Sequence, residues 1–133
     1  MIYSVSDNYN VDMWKLDYKL IKQIQDLQKK ISPDINIMLH YGVEGKHSES
    51  GYHPSGMALD LHFEKHGLIV QTTAMFYVLK NHWLGGIGVY PHWNQQGFHL
   101  DIGPNGRLWY QDEKGEYLGI SDYLRKYINK EVV

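Results

Sequence analysis

Gly51-Tyr52-His53-Pro54-Ser55-Gly56-Met57-Ala58-Leu59-Asp60 carries two potential metal ligands, His53 and Asp60, separated by a turn built on Pro54, Ser55 and Gly56. The apolar residues Met57, Ala58 and Leu59 then lead straight into the aspartate. A strand beginning at Met57 buries Leu59 and Leu61 on one face and presents Ala58, Asp60 and His62 on the other, because strand side chains alternate. The stretch therefore predicts an aspartate on rigid backbone and a histidine that reaches it from the preceding loop.

Gly97-Phe98-His99-Leu100-Asp101-Ile102-Gly103 has the same alternation. Phe98, Leu100 and Ile102 point one way, and His99 and Asp101 point the other. Two strands of this kind bring His53, Asp60 and His99 together. Two imidazoles and one carboxylate, with a fourth position left to water, form a recognised catalytic zinc arrangement. Without a metal, the same three residues would be a hydrogen-bonded polar cluster.

At 133 residues the chain is expected to form one domain, residues 1–133. Its 43% hydrophobic content supplies a core, and no low-complexity or long charged segment suggests disorder. The net charge of −2 comes without a basic stripe, which argues against a nucleic-acid partner. There is no cysteine, so disulfides, thiolate zinc sites and a cysteine nucleophile are excluded. Any zinc must be held by His, Asp or Glu. The first eight residues show no basic segment followed by an apolar run, so no signal peptide is visible. No stretch approaches the roughly 18 apolar residues of a membrane span, so insertion into a membrane is not expected.

Residues 1–10 read as a loop or short edge segment. Over 11–31 the pattern turns helical: Trp14, Tyr18, Leu20, Ile21, Ile24, Leu27 and Ile31 recur mostly at three- and four-residue spacing. Pro33 ends that helix. A strand follows over 35–41, a polar loop over 42–50 and, after the Asp60 strand, a turn at 64–67. A second helix is predicted over 68–82, with Leu68, Thr72, Met75, Phe76, Leu79 and Trp83 as its buried stripe. The glycine-rich run 84–90 lacks the phosphate-loop pattern, and its glycines instead allow close backbone approach beside a site. Short strands follow over 107–111 and at Tyr117 and Leu118, and Ser121 is the expected N-cap of a last helix. The order implies an α+β fold, a small antiparallel sheet with helices on one side and a groove on its open face.

His53-Pro54-Ser55-Gly56-Met57-Ala58-Leu59-Asp60 resembles the SxHxxGxAxD signature of the zinc D-alanyl-D-alanine carboxypeptidase family of metallopeptidases. Gly85-Gly86-Ile87-Gly88-Val89-Tyr90, Phe98-His99-Leu100-Asp101-Ile102-Gly103 and Arg107-Leu108-Trp109 resemble the GGxGxY…FxHxDxG…RxW run of its murein hydrolase branch. The likeness spans residues 50–109. It implies a hedgehog-like α+β fold with His53, Asp60 and His99 on zinc. It also implies hydrolysis of a D-alanine-containing peptide bond in the peptidoglycan stem or cross-link by zinc-activated water. Carboxypeptidase and endopeptidase action both stay open. The chain departs from the family pattern in three places. Gly51 stands where the family has serine, with Ser50 one place further away. No arginine precedes His53, Lys46 being the nearest cation. Gln96 stands where some relatives carry an acid.

Proton handling beside the zinc falls first to Asp101, which shares a strand face with His99. It would orient an imidazole or take a proton from water; otherwise it is a buried acid paired with backbone amides or Arg107. His92 is second, as an oxyanion stabiliser or a plain surface histidine, and His62 third. Tyr90 and Trp93 read as a substrate wall or as packing residues. Trp109 reads as core, and His40, His47, His66 and His82 as ordinary structural or surface histidines. The reading is a zinc-dependent murein peptidase acting as a monomer. The alternative is a zinc-binding cell-wall or structural module without catalysis. A wall substrate without an export signal fits a phage-encoded enzyme or a chain trimmed of its signal.

Overall fold

The computed structural model describes residues 3–5, 11–42, 51–53 and 55–129. Residues 1, 2, 6–10, 43–50, 54 and 130–133 lie outside the described residues, and with them the expectations for Lys46, His47, Ser50 and Pro54. In chain order the elements are β1 (Tyr3–Val5), a 3-10 turn (Met13–Lys15), α1 (Tyr18–Lys30), β2 (Ile35–Tyr41), β3 (Ala58–Lys65) and β4 (Leu68–Ile69). Then come α2 (Thr72–His82), β5 (Gly86–Tyr90), β6 (Gly97–Asp101), β7 (Leu108–Gln111), β8 (Tyr117–Gly119) and α3 (Ile120–Tyr123). A π-helical turn, Leu124–Ile128, continues α3.

The fold is α+β, as the element order predicts. The sheet is larger than expected and is mixed: seven strands run in the order β1-β2-β3-β6-β5-β7-β8, and β4 pairs with β3. Two pairs are parallel, β1 with β2 and β5 with β7. Both follow from connectivity. β1 reaches β2 through α1, and such a helical crossover returns the chain in the same direction. β7 follows β6 but docks beyond β5, so a strand that reverses β6 is necessarily parallel to β5.

Alternation divides the sheet cleanly. Leu59, Leu61 and Phe63 of β3, Phe98 and Leu100 of β6, and Ile87 and Val89 of β5 face one side. There they join Leu20, Ile24 and Leu27 of α1, Met75, Phe76 and Leu79 of α2, and Tyr123 of α3 in one core. The helices thus occupy a single face, as expected. Asp60, His62, His99 and Asp101 are left on the other.

The helix boundaries differ from the sequence reading for identifiable reasons. Asp17 caps α1, accepting a hydrogen bond from the Lys19 amide at 2.8 Å, so the helix starts at Tyr18 rather than at residue 11. Trp14 is then off the helical stripe and 97% exposed, and Tyr18 in the first turn is also exposed. His66 and Gly67 both have positive φ, 53° and 78°, the pattern of a type I′ hairpin turn. The turn folds Leu68 and Ile69 back onto β3, so α2 begins only at Thr72 and Leu68 is exposed. The amide of Thr72 is capped by the Gln96 side chain at 2.9 Å. Ser121 is not an N-cap; α3 begins after Gly119 without a side-chain cap.

At Gly97 the first residue of β6 passes so close to β3 that a Cβ would lie 2.1 Å from the Leu61 carbonyl oxygen. Gly97→Ala is expected to lower stability by about 1–3 kcal/mol through forced strand separation, read by urea unfolding. An unchanged midpoint would contradict the close approach.

Candidate metal centre

The site is one rung of the sheet plus one loop. Tyr41 pairs with Asp60, Asp60 with His99, His99 with Gly88 and Gly88 with Trp109, across β2, β3, β6, β5 and β7. Asp60 and His99 are therefore direct cross-strand neighbours on the open face. Gly88, with no side chain, leaves room for the Trp109 ring, whose nearest atom would stand 2.5 Å from a Cβ there. The Trp109 ring centroid comes to 4.9 Å from that of His99. Trp109, read as core from the sequence, instead forms a wall of the site. One step along, Gly86 makes the same room for the Asp101 carboxylate.

His53 arrives from the loop. The Gly56 amide donates to the His53 carbonyl at 3.0 Å, and the Met57 amide to the Tyr52 carbonyl at 3.0 Å. Gly56 has φ +75°, and its carbonyl accepts from the Asp17 amide at 2.8 Å, which ties the turn to the start of α1.

His53 Nε2, Asp60 Oδ1 and His99 Nδ1 form a triangle with edges of 3.1, 3.3 and 3.0 Å. Metal–ligand distances of about 2.0–2.1 Å in a tetrahedral site put neighbouring ligand atoms about 3.3–3.4 Å apart, close to these edges. Hydrogen bonds on the far sides of the rings set the donor character. His53 Nδ1–H donates to the Gly42 carbonyl at 2.7 Å, and His99 Nε2–H donates to Asp101 Oδ2 at 2.8 Å. In the neutral rings, His53 Nε2 and His99 Nδ1 then carry lone pairs aimed at a carboxylate oxygen. Three lone pairs this close repel one another unless a cation or proton lies between them. His53, Asp60 and His99 are thus a buried group that can hold a metal ion.

The charges agree. Burial alone would raise the Asp60 carboxyl, but hydrogen bonding to His53 and His99 outweighs it and holds the group at about 2. Burial alone would depress His99, but Asp101 and Asp60 overcome it and shift the imidazole upward. The cluster is an anionic pocket that favours positive charge.

The structure places Asp101 behind His99. One carboxylate oxygen takes the imidazole, and the other takes the amides of Gly103 at 2.9 Å and Gly86 at 3.2 Å. Its backbone carbonyl accepts from Trp83 Nε1 at 3.0 Å. Of the two roles open to it, this geometry is that of a residue that orients a ligand. It forms no ion pair with Arg107 among the described contacts. His92 does not join the cluster: its Nε2 lies 2.9 Å from the Tyr127 hydroxyl and 3.8 Å from Glu113. Gln96 is engaged as the cap on α2. His62 is fully buried, 2.6 Å from Glu64 Oε2 and 2.5 Å from His40 Nε2.

A cavity of about 1270 Å3 opens over the cluster. Tyr90 and Trp93 line it together, stacked at 4.2 Å and 16°, and the Tyr90 hydroxyl accepts from Trp109 Nε1 at 3.1 Å. His40 and Arg107 are among the lining residues to which the sequence reading gave no part in the site. His40 enters the wall at an irregularity of β2. Arg107, the sole Lys or Arg among the described lining residues, has its guanidinium carbon 5.9 Å from the Trp109 ring centroid. The chain matches no protein-family model, no curated protein and no solved structure at a significant level.

Removing His53 takes away one vertex while leaving both strands intact. His53→Ala should abolish tight, stoichiometric zinc binding by metal analysis yet keep the cooperative unfolding of the parent. Asp101→Asn should keep the site but weaken zinc about 10–100-fold in competition titration, since only the support of His99 is lost. Parental affinity in Asp101→Asn would remove the orienting role.

Proposed function

We propose that this protein is a zinc-dependent peptidase that cleaves a D-alanine-containing bond of the peptidoglycan stem or cross-link, in a hedgehog-like fold. The observation that carries the reading is the convergence of two imidazole lone pairs and a carboxylate in a cavity large enough for a peptide. The two-imidazole, one-carboxylate set suits zinc. The likeness of the three motif stretches to the murein hydrolase branch supplies the substrate class. When bound, a zinc ion here supplies Lewis acidity, activating water and polarising a scissile carbonyl.

The chain's own residues would do the rest. His53 and His99 present fixed nitrogens, held by Gly42 and Asp101. The Tyr90–Trp93 stack and Trp109 give the substrate apolar walls and exclude water. Arg107 supplies a cation for a substrate carboxylate, a part that no arginine before His53 plays. The alternative is a zinc-binding wall module without turnover. It draws support from Asp101 and Gln96, the acid and the amide nearest His99 in sequence, both committed to structural hydrogen bonds.

Mass spectrometry of defined muropeptides, with chelator and with zinc added back, separates these readings. The peptidase reading expects loss of a terminal alanine or a split cross-link, abolished by chelator and restored by zinc. No product from zinc-loaded, folded protein would favour the binding module. For a carboxylate-bearing substrate, Arg107→Ala should raise KM about tenfold or more with a smaller change in kcat. An unchanged KM would take Arg107 out of recognition.

A further inference from the structure

The cavity extends well beyond the metal cluster, to Gln111, Tyr117 and Gly119 at the far side of the sheet. Cross-strand register defines its course. His99 pairs with Gly88, Gly88 with Trp109 and Trp109 with Gly119, so one rung runs from β6 through β5 and β7 to β8. Three strand spacings make that rung about 14 Å long. β8 is the last strand in the sheet order, and Tyr117 and Gly119 on it are both exposed. The cavity is thus a trough that starts at His53, Asp60 and His99 and runs out to the β8 edge.

Its floor changes along the way. The Trp109 ring, 4.9 Å from that of His99, covers the first part. Beyond it lies Gly119, whose backbone is ordinary, with φ −67° and ψ 157°. The nearest atom that a Cβ there would meet is Ser121 Oγ, at 3.9 Å. The space left by Gly86 and Gly88 is filled by a carboxylate and an indole, whereas the space above Gly119 is open. Arg107 and Gln111, two residues to either side of Trp109, share its face and flank the floor. Tyr117 pairs with Gln111, and its ring makes a T-shaped contact with Tyr90 at 6.4 Å, which carries the aromatic wall to the edge. The volume of about 1270 Å3 exceeds the range of about 300–1,000 Å3 typical of small-ligand pockets. At about 3.3 Å per residue, about four residues of extended chain span the rung.

We propose that this trough is an extended-peptide subsite that takes about four substrate residues on one side of the scissile bond. Tyr117 is its outermost wall, and the bare Gly119 lets the peptide pass over β8. The proposal rests on the peptidase reading and narrows its substrate class to long peptides, with free di- and tripeptides cleaved poorly.

The test uses zinc-loaded, full-length protein and stem peptides lengthened one residue at a time on either side of the cleaved bond. In one of the two series kcat/KM should rise about tenfold or more by about the fourth residue and then level off, because contacts remote from the reacting bond contribute to catalysis. Gly119→Leu, which adds a side chain into open space, should remove most of that rise while zinc content and unfolding midpoint stay parental. Tyr117→Ala, a truncation at an exposed position, should remove part of it and stands in for the leucine variant if that variant does not fold. Flat kcat/KM in both series, or an undiminished rise in the folded variants, would overturn the proposal. If no peptide is cleaved, the peptidase reading fails and binding decides the subsite. Amide resonances of residues 117–119 should then shift on titration with a stem pentapeptide, which should bind about tenfold more tightly than a dipeptide. Unmoved resonances at millimolar pentapeptide, or equal affinities, would overturn the subsite as well.

Discussion

Mutual repulsion of lone pairs is the constraint on which the centre depends. Two neutral imidazoles and a carboxylate meet at 3.0–3.3 Å with their hydrogens turned outward. Such an arrangement persists only if the scaffold holds it and a positive charge relieves it. The scaffold's part is visible at every vertex. Asp60 and His99 are pinned by cross-strand register, His53 by the Gly42 carbonyl and the Gly56 turn, and the His99 ring by Asp101. Asp101 is pinned in turn by the amides of Gly86 and Gly103 and by Trp83, the residue that ends α2. The helical layer therefore supports the site twice, through the Trp83 indole on the Asp101 carbonyl and through the Asp17 amide on the Gly56 carbonyl.

Glycine does on this face what large side chains do on the other. Gly86 and Gly88 vacate the two positions that flank Asp101 and His99, and the vacated space is filled by the Asp101 carboxylate and the Trp109 ring. The same β5 strand turns Ile87 and Val89 into the core. One five-residue strand thus builds packing on one side and a site on the other, through alternation alone.

Much of this was legible in the sequence because period-two alternation does not depend on long-range context. The two polar strand faces follow from it, and with His53 in the preceding loop so does the meeting of His53, Asp60 and His99; the single helical layer follows from the order of the elements. What was not legible depended on pairing. The parallel β1·β2 and β5·β7 contacts come from where strands dock. The exposure of Trp14 and the late start of α2 come from local turns, at Asp17 and at His66–Gly67, that competed with apolar periodicity. Trp109 looked like core because its place above Gly88 needs the β5·β7 register. Asp101 sits two residues from His99, and spacing alone left it equally able to orient a ring or take a proton. His40 was discounted because a bulge at residue 40 has no sequence mark, and Gln96 gained its role only from the distant Thr72 amide.

The central proposal is that His53 Nε2, Asp60 and His99 Nδ1, a group that can hold a metal ion, jointly bind one zinc ion. Anomalous diffraction at the zinc edge from zinc-loaded crystals tests it directly. The account predicts one strong peak per chain, about 2.0–2.2 Å from His53 Nε2, from an Asp60 carboxylate oxygen and from His99 Nδ1. A peak elsewhere, such as on the His40–His62 pair, or no peak at saturating zinc, would contradict it.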